Sequence, residues 1–359
     1  MQREDYTVAW ICALPIERTA VVCLLDEKHP DLVNSKTDSN KYTLGKIGQH
    51  NVAVVGLPSY GVTSAAVVVT NMKSAFPSLR FALMVGIGGG VPSDSNDIRL
   101  GDIVVSKPYN DHPGVIQYDF GRVEVGSVFR RIGHLNRPPE EVLSTLNDLE
   151  AEHLYDEPRF PSLLEDCFAK YPKWAAACTR STADRLYEIE YDHANPMETT
   201  NCQSCDISRL VTRPIRESTV SVIHYGLIGS GNQVVKDARQ RERLRQETGV
   251  LCFEMEAAGL MNSLPSLVVR GISDYADSHK NKQWQPYAAA VAAAYAKELL
   301  CRVPLIETAT QTDGGHGDGP LQRTSPSQVA DLIQNFTFGD HANVTYNTYN
   351  QPEKSARKS

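Results

Sequence analysis

The stretch RFALMVGIGGGV, residues 80–91, joins an apolar run to a row of glycines. Its first eight residues have the length and apolar character of a fully buried β-strand. Similar runs occur at 6–13, 51–57, 102–106, 220–228 and 266–272, and helical patterns lie between some of them, at 16–25, 62–76 and 285–303. Strands that alternate with helices predict an α/β domain with a largely buried sheet.

The glycines at 86 and 88–90 do not form a standard nucleotide-binding loop. A G-x-G-x-x-G motif would need glycine where Val91 stands, and a P-loop would need Gly-Lys-Ser/Thr where the sequence has Val-Pro-Ser. Two interpretations stay open. The glycines form a tight turn that closes the strand, or they let backbone N–H groups approach an anion or a sugar.

The composition changes twice along the chain. Residues from about 127 to 215 are polar, rich in proline and helix-leaning, which predicts an insertion within one domain at 1–303. Residues 304–359 are predicted to be a flexible linker followed by an Asn/Thr/Tyr-rich tail. The tail is interpreted as disordered, or alternatively as a β-type assembly motif.

The bulk numbers exclude several functional classes. The formal net charge of −7 gives no sign of nucleic-acid binding. No apolar run approaches the roughly 18 residues that span a bilayer, and the first ten residues carry charge where a secretory signal needs an apolar stretch. We therefore expect a cytoplasmic protein without a membrane partner, whose eight cysteines are mostly reduced.

A set of short motifs identifies a family. In chain order they are ICALPIERTAV (11–21), VGIGGG (85–90), RLGDIVVS (99–106), YGLIGSGNQVV (225–235), FEMEAAGL (253–260) and VRGISDYADS (269–278). Together they resemble the nucleoside phosphorylase/nucleosidase family. The segments 191–206 and 276–290 look like the subgroup that forms the N-terminal module of fungal NOD-like receptor proteins with a STAND-type NTPase. The resemblance implies a central mixed β-sheet, largely buried and flanked by helices.

Two carboxylates interrupt the apolar stretch GVLCFEMEAAGL at 249–260. Burying an unpaired carboxylate costs several kcal/mol. If 250–256 is extended, Glu254 and Glu256 point to the same face. The resemblance implies that Glu256 binds the ribose 2′- and 3′-hydroxyls and that Met255 packs on the ribose. The alternative is structural: both glutamates cap the following helix or pair with Arg270.

Cleaving a purine–ribose bond requires an acid for the departing base. The resemblance implies that Asp274 contacts purine N7 and that Ser273 orients it. A position just past an apolar strand also favours Asp274, because desolvation can raise the pKa of a carboxyl group there. Asp277 competes for the same role. The structural alternative for Asp274 is an ordinary helix N-cap.

The nucleophile distinguishes hydrolysis from phosphorolysis. Glu17 stands where the hydrolase branch of the family has the glutamate that activates water, although it also fits as a first-turn helix acid. The glycine stretch lacks the arginine with which phosphorylases bind phosphate, but the adjacent Arg18 keeps phosphorolysis open. We therefore predict hydrolysis of a purine nucleoside or nucleotide. Phosphorolysis is the first alternative, and a non-catalytic nucleoside-sensing or assembly module is the second.

The remaining expectations concern the substrate. Further binding residues are predicted at Gly88, Gly89, Phe253 and Asn232. Members of a defence-associated branch of the family act on adenine nucleotides including ATP, so phosphate contacts are predicted among the basic residues, at Arg99, Lys236 and Arg270. Catalysis requires no cofactor, and the resemblance implies a homodimer or a larger homo-oligomer.

The pair Cys202 and Cys205 has the spacing of zinc ligands. One C-x-x-C supplies only two ligands, and the candidates to complete a structural site are Cys167, Cys178, His193 and His224. The alternative is that these cysteines are reduced packing residues.

Overall fold

The computed structural model describes residues 1–180, 183–195 and 201–305. Within these ranges the strands are β1 (Val8–Cys12), β2 (Glu27–Lys28), β3 (Tyr42–Ile47), β4 (His50–Gly56), β5 (Phe81–Gly90), β6 (Ile103–Ser106), β7 (Val115–Gln117), β8 (Gly121–Glu124), β9 (Val128–Arg131), β10 (Ile223–Gly226), β11 (Ile228–Ser230), β12 (Cys252–Glu254) and β13 (Ser266–Asp274). The α-helices are α1 (Pro15–Leu24), α2 (Val62–Ala75), α3 (Glu140–Glu152), α4 (Phe160–Lys170), α5 (Pro172–Ala177), α6 (Ala238–Thr248) and α7 (Gln285–Leu300).

The central sheet is mixed and places the glycine-rich strand in its middle. The order β10-β6-β13-β5-β1-β4-β3-β2 runs across it, and β7, β11 and β12 extend it beside the end of β5. β5 pairs in parallel with β1 and β13, and antiparallel with β12 at Gly89 and Gly90. All residues of β1 and β13 are buried, as expected for strands covered on both faces. The predicted fold class is confirmed.

Helices cover the two faces of the sheet. Along β1, Val8, Trp10 and Cys12 belong to the hydrophobic cluster that includes α1 and α7, whereas Ala9 and Ile11 belong to the one that includes α2. This alternation follows from the period of two along a strand. The alanines of α7 let the helix lie close to β13, because a Cβ on Gly271 would overlap the backbone of Ala288.

The region predicted as an insertion contains helices that belong to the core. Phe160, Leu164 and Trp174, from α4 and α5, lie in the same hydrophobic cluster as α7. The described residues after α5 form no α-helix before α6, so the helix-leaning prediction for the region up to 215 holds only for its first part. Strands and helices from β1 to α7 belong to one compact unit, Met1–Ile306.

Some details of the strands and helices differ from the sequence predictions. The apolar run 220–228 is divided between β10 and β11, which pair with different strands. β3 and the polar helix α6 were not predicted. From residue 306 onward, the predicted linker and tail lie outside the described residues. None of the helices in the described ranges combines the length and apolarity needed to cross a bilayer.

Candidate active site

Glu17 is buried at the beginning of α1, where backbone N–H groups hold its carboxylate. It accepts hydrogen bonds from the N–H groups of Ala13 (2.7 Å), Leu14 (2.9 Å) and Ile87 (2.8 Å). These bonds fix the carboxylate between α1 and β5. Burial nevertheless raises the pKa of Glu17, and the nearby Arg270 guanidinium only partly opposes this.

Arg270, on β13, forms ion pairs with both Glu254 and Glu256. Its Nη2 donates to the Glu254 carboxylate and lies 3.3 Å from Glu256 Oε2. Glu254 also accepts from the N–H groups of Glu256 and Ala257, each at 3.1 Å. The structural alternative, capping and pairing with Arg270, therefore describes Glu254 well, and pairing alone applies to Glu256.

Glu256 does not lie on the strand. β12 ends at Glu254, and the backbone turns into a 3-10 segment at Ala257–Gly259, so the condition that 250–256 is extended is met only as far as Glu254. The turn arises because Glu254 caps the N–H groups that follow it. Burial raises the pKa of Glu256 to about 7, and the neighbouring carboxylates of Glu254 and Glu17 add to the effect.

The glycine row is part of β5 and not a turn, which corrects the turn interpretation. A Cβ at Gly86 would lie 2.6 Å from Arg270 Nη1 and would also overlap the Glu17 carboxylate. A Cβ at Gly89 would lie 2.9 Å from Asp274 Oδ1. The glycines are therefore required because three ionic side chains lie directly against this strand.

A cavity of about 270 Å³ opens over these groups. This is near the lower end of the size range of small-molecule sites, which runs from about 300 Å³ upward. Its lining combines the ionic cluster with apolar walls: Ala13, Leu14, Glu17, Tyr60, Ile87, Gly88, Gly89, Val234, Phe253, Glu254, Met255, Glu256, Arg270, Ser273, Lys280 and Gln285. The structure thus brings together Glu17, Glu256 and the predicted binding residues Gly88, Gly89, Phe253, Met255 and Ser273.

Asp274 is connected to this cavity by two hydrogen-bonded neighbours that line it. Ser273 Oγ donates to Asp274 Oδ2 at 2.8 Å, and Lys280 Nζ lies 2.9 Å from the same oxygen. Ser273 and Lys280 line the cavity, whereas Asp274 itself lines a neighbouring cavity of about 250 Å³. Sequence reasoning missed Lys280, for which the only signal was a cation six residues after the predicted acid.

The competing acid, Asp277, is directed elsewhere. It accepts from the N–H of His279 at 2.9 Å and lies 3.6 Å from Arg241 Nη1. Burial raises the pKa of Asp277 to about 6. Both aspartates line the second cavity, but only Asp274 is bonded to residues that line the cavity with Glu17 and Glu256, namely Ser273 and Lys280. The geometry therefore favours Asp274.

Three predicted contacts lie away from that cavity. Asn232 is exposed and its Oδ1 accepts from the N–H of Val62 at the start of α2 (3.1 Å), so it acts as a helix cap. Arg99 binds Asp97 and the carbonyl of Pro214, and Lys236 is exposed. Arg270 does line the cavity, but its guanidinium is already paired with carboxylates.

Arg18 also points away from the cavity, because its Nη2 donates to Thr43 Oγ1 at 2.8 Å on β3. Arg18, the residue that kept phosphorolysis open in the sequence, is therefore not part of the cavity lining.

The cysteine pair has one histidine beside it. The ligand atoms of His193, Cys202 and Cys205 all lie within 4.8 Å of one another. The other proposed ligands are placed elsewhere: Cys167 and Cys178 belong to the hydrophobic cluster beneath α4 and α5, and His224 lies 3.1 Å from Asp102.

A mixed sheet flanked by helices, with buried carboxylates beneath a small cavity, defines an α/β protein with a candidate active site. The chain belongs to the phosphorylase superfamily, whose family model matches residues 7–303. The fold agrees with solved nucleosidases of Helicobacter pylori. Futalosine hydrolase has a TM-score of 0.52 at 16% identity, covering 82% of this chain and 97% of that one. The 5′-methylthioadenosine/S-adenosylhomocysteine nucleosidase also has a TM-score of 0.52, at 15% identity, covering 82% and 98%.

Sequence relatives include one close and several distant proteins. A nucleotide-binding leucine-rich repeat (NLR)-like protein of Hyaloscypha variabilis is 47% identical over 83% of this chain, which spans only 29% of that protein. The 5′-methylthioadenosine/S-adenosylhomocysteine nucleosidase of Mycobacterium tuberculosis is 23% identical over 84% of this chain and 98% of its own length. ATP nucleosidase Cap17 of Escherichia coli is 24% identical over 82% of this chain and 51% of its own length. These nucleosidase homologues support hydrolysis of purine N-glycosidic bonds.

Proposed function

We propose that this protein hydrolyses the N-glycosidic bond of a purine nucleoside or nucleotide and releases the free base. The observation that carries the proposal is the pair Glu17 and Glu256, both buried, on the wall of one cavity with Arg270 between them. No cofactor is part of the proposed reaction.

Glu256 is the proposed acceptor for the ribose hydroxyls. An ionised carboxylate only accepts hydrogen bonds, and its two oxygens suit two neighbouring hydroxyl groups. Arg270 Nη2 lies 3.3 Å from Glu256 Oε2 and holds the carboxylate in the wall of the cavity. The half-buried Met255, which also lines the cavity, supplies an apolar surface for the sugar.

Glu17 is the proposed general base. A carboxylate offers about four lone-pair positions, and three of those on Glu17 are used by backbone N–H groups. One position is left to accept a proton from an attacking water. The pKa of Glu17, raised by burial, makes it a stronger base than an exposed glutamate at neutral pH.

The charge of the cluster favours water over phosphate as the nucleophile. The Arg270 guanidinium offsets only part of the charge of Glu17, Glu254 and Glu256, and Lys280 is paired with Asp274, so the ionised cluster is negative. A negative wall repels inorganic phosphate and stabilises the positive charge that develops on the ribose as the bond breaks. The negative charge therefore favours hydrolysis in two ways: it disfavours phosphate as the nucleophile, and it stabilises the transition state.

Asp274 is the proposed acid for the base. Ser273 and Lys280 hold its Oδ2 at the edge of the cavity, where purine N7 would arrive beside Phe253. The proton passes from the carboxyl group to N7, so the purine leaves as a neutral base.

The substrate class is proposed from the relatives. The names of two of them specify adenosine derivatives and ATP, so we propose an adenine nucleoside or adenine nucleotide, with ATP as one candidate. From the resemblance to NOD-like receptor modules we also propose a cytoplasmic role in defence signalling, and one relative is named as an NLR-like protein. We also propose that the protein acts as a homo-oligomer, as the family resemblance implies.

Base release from adenosine, AMP and ATP, each measured with and without inorganic phosphate, tests the proposal. We expect free adenine from at least one substrate in phosphate-free buffer. Adenine that appears only with phosphate would identify a phosphorylase, and no release from any purine nucleoside or nucleotide would indicate a binding module.

The rate is expected to depend on pH through Glu256. Its ionised form accepts the ribose hydroxyls, and its pKa is raised to about 7. kcat/KM should therefore fall as the pH drops through about 7, approaching a tenfold loss per pH unit below it. A rate that stays constant from about pH 8 to pH 5 would contradict this role.

A further inference from the structure

A cluster of sulfur and nitrogen ligands lies on the far side of Asp274 from the ionic cluster. It contains Cys202 and Cys205 together with His193, and their ligand atoms lie within 4.8 Å of one another. In a tetrahedral zinc site with bonds of about 2.0 to 2.3 Å, ligand atoms are separated by roughly 3.6 Å. The three side chains therefore need only a small contraction to bind one ion.

The hydrogen bonds of His193 suit a metal ligand. Its Nδ1 lies 2.8 Å from the carbonyl oxygen of Asn195, and its Nε2 lies 2.9 Å from that of Asn201. A neutral imidazole has one N–H, which on Nε2 donates to the Asn201 carbonyl. The lone pair is then on Nδ1, which accepts from the N–H of Asn195 at 3.1 Å and would exchange that hydrogen bond for the metal. An N–H bonded to a backbone carbonyl is the usual way in which a metal-binding histidine is oriented.

His279 provides the second, independent observation. It is only 7% exposed, and neither of its ring nitrogens has a hydrogen-bond partner within the described part of the chain. The nearest carboxylate oxygen, on Asp277, is 3.9 Å from its Nδ1 and too distant for a hydrogen bond. Leaving buried polar atoms unpaired is unfavourable, and a bound metal ion would satisfy one of these nitrogens.

His279 lies close to His193 and Cys202. Its ring centroid is 5.4 Å from that of His193, and Cys202 Sγ is 3.9 Å from its carbonyl oxygen. Its ring is stacked against Tyr187 at 4.0 Å and lies 5.6 Å from Tyr191. A metal binds in the plane of the imidazole, so coordination does not require the stacking on the ring faces to be lost.

We propose that Cys202, Cys205, His193 and His279 bind one zinc ion in a closed structural site. Two thiolates and two imidazoles are a set that selects zinc over magnesium or calcium. Binding deprotonates the two thiols, whose protons pass to solvent, and breaks no other bond.

Such a site would connect two parts of the fold that matter for the proposed reaction. Cys202, Cys205 and His193 belong to the irregular segment before β10, whereas His279 follows β13 in the loop that contains Lys280, the partner of Asp274. The N–H of His193 already donates to Ser278 Oγ at 2.9 Å. Zinc would therefore hold the loop beside the acid against the segment that covers it.

Metal analysis of the reduced 359-residue chain, purified without chelators, tests the site. We expect about one zinc per chain, and at least a fivefold loss of zinc in Cys202→Ser and in His279→Gln. Cys301→Ser is the matched control, because Cys301 is an exposed thiol outside the cluster. A strong chelator should lower the melting temperature of the wild type, and added zinc should restore it.

Cobalt substitution of the wild type keeps the test decisive if a variant does not fold. The Co²⁺ form should show thiolate charge-transfer bands and the intense visible bands of tetrahedral coordination. A reduced protein that neither retains zinc nor takes it up would overturn the proposal. Zinc retained in His279→Gln with an unchanged cobalt spectrum would overturn the fourth ligand. These readouts do not depend on base release, so they are separate from the test of the nucleosidase activity.

Discussion

Asp274→Asn should lower the turnover of natural purine nucleosides by about 100-fold or more, the scale of a lost general acid. The substitution keeps the size of the side chain but removes the proton that N7 needs. A nitrophenyl riboside should be largely spared, because its leaving group departs without protonation. Steady-state rates of both substrates, measured side by side, give the comparison.

Two control variants separate the role of Asp274 from structural effects. Asp274→Asn and Lys280→Met both remove the ion pair between Lys280 Nζ and Asp274 Oδ2, which are 2.9 Å apart. Because Lys280→Met leaves the carboxyl group in place, it should lower turnover much less than Asp274→Asn. Glu17→Gln should slow both substrates, because both need an activated water. Equal losses for the two substrates in Asp274→Asn, with binding unchanged, would make Asp277 the next acid to test.

Glu256→Ala should reduce base release by about 100-fold to 1,000-fold, the scale seen when one preorganised group loses contact with the transition state. The loss should appear mainly in kcat, because contacts with the ribose strengthen as the sugar becomes cationic. Turnover near the wild-type value would exclude Glu256 from the mechanism.

Substitution of Glu256 should leave the stability of the fold intact, whereas substitution of Glu254 should reduce it. The pKa of Glu256 is raised from 4.5 to about 7 by burial, so its stabilising contribution is complete below 4.5 and lost as the pH rises through 7. Glu256→Gln should therefore not lower the melting temperature at about pH 8. Glu254→Ala should lower it, because Arg270 and the N–H groups of Glu256 and Ala257 lose their buried partner.

The sequence predicted the elements whose burial is continuous. β13 is buried along its whole length, β5 is buried at all but one position, and α7 is alanine-rich, so local preference and burial agree in these elements. The polar helix α6 was missed because few of its residues are buried, among them Arg241. Its local signals were the cap Asp237 and the left-handed Gly249, which has φ of 75°.

Residues of the site could be predicted where they belong to a motif. Glu17, Glu256 and Ser273 reach one cavity as expected. Lys280 and His279 follow the last motif as single residues, and only the path of the loop after β13 shows what they contact. Asn232 was misplaced because a segment that enters the site also provides the cap of α2.

The residues that line the cavity differ in how much substitution they tolerate, and those of the glycine strand β5 tolerate little. On β5, an added methyl group at Gly86 or Gly89 would strike Arg270 or Asp274, so sequence change is blocked on that wall. The lining also includes side chains that are not part of the ionic cluster, such as Tyr60, Val234 and Gln285. Evolution toward a new leaving base or a longer 5′ substituent would therefore proceed through those positions, while the bond-breaking chemistry is inherited unchanged.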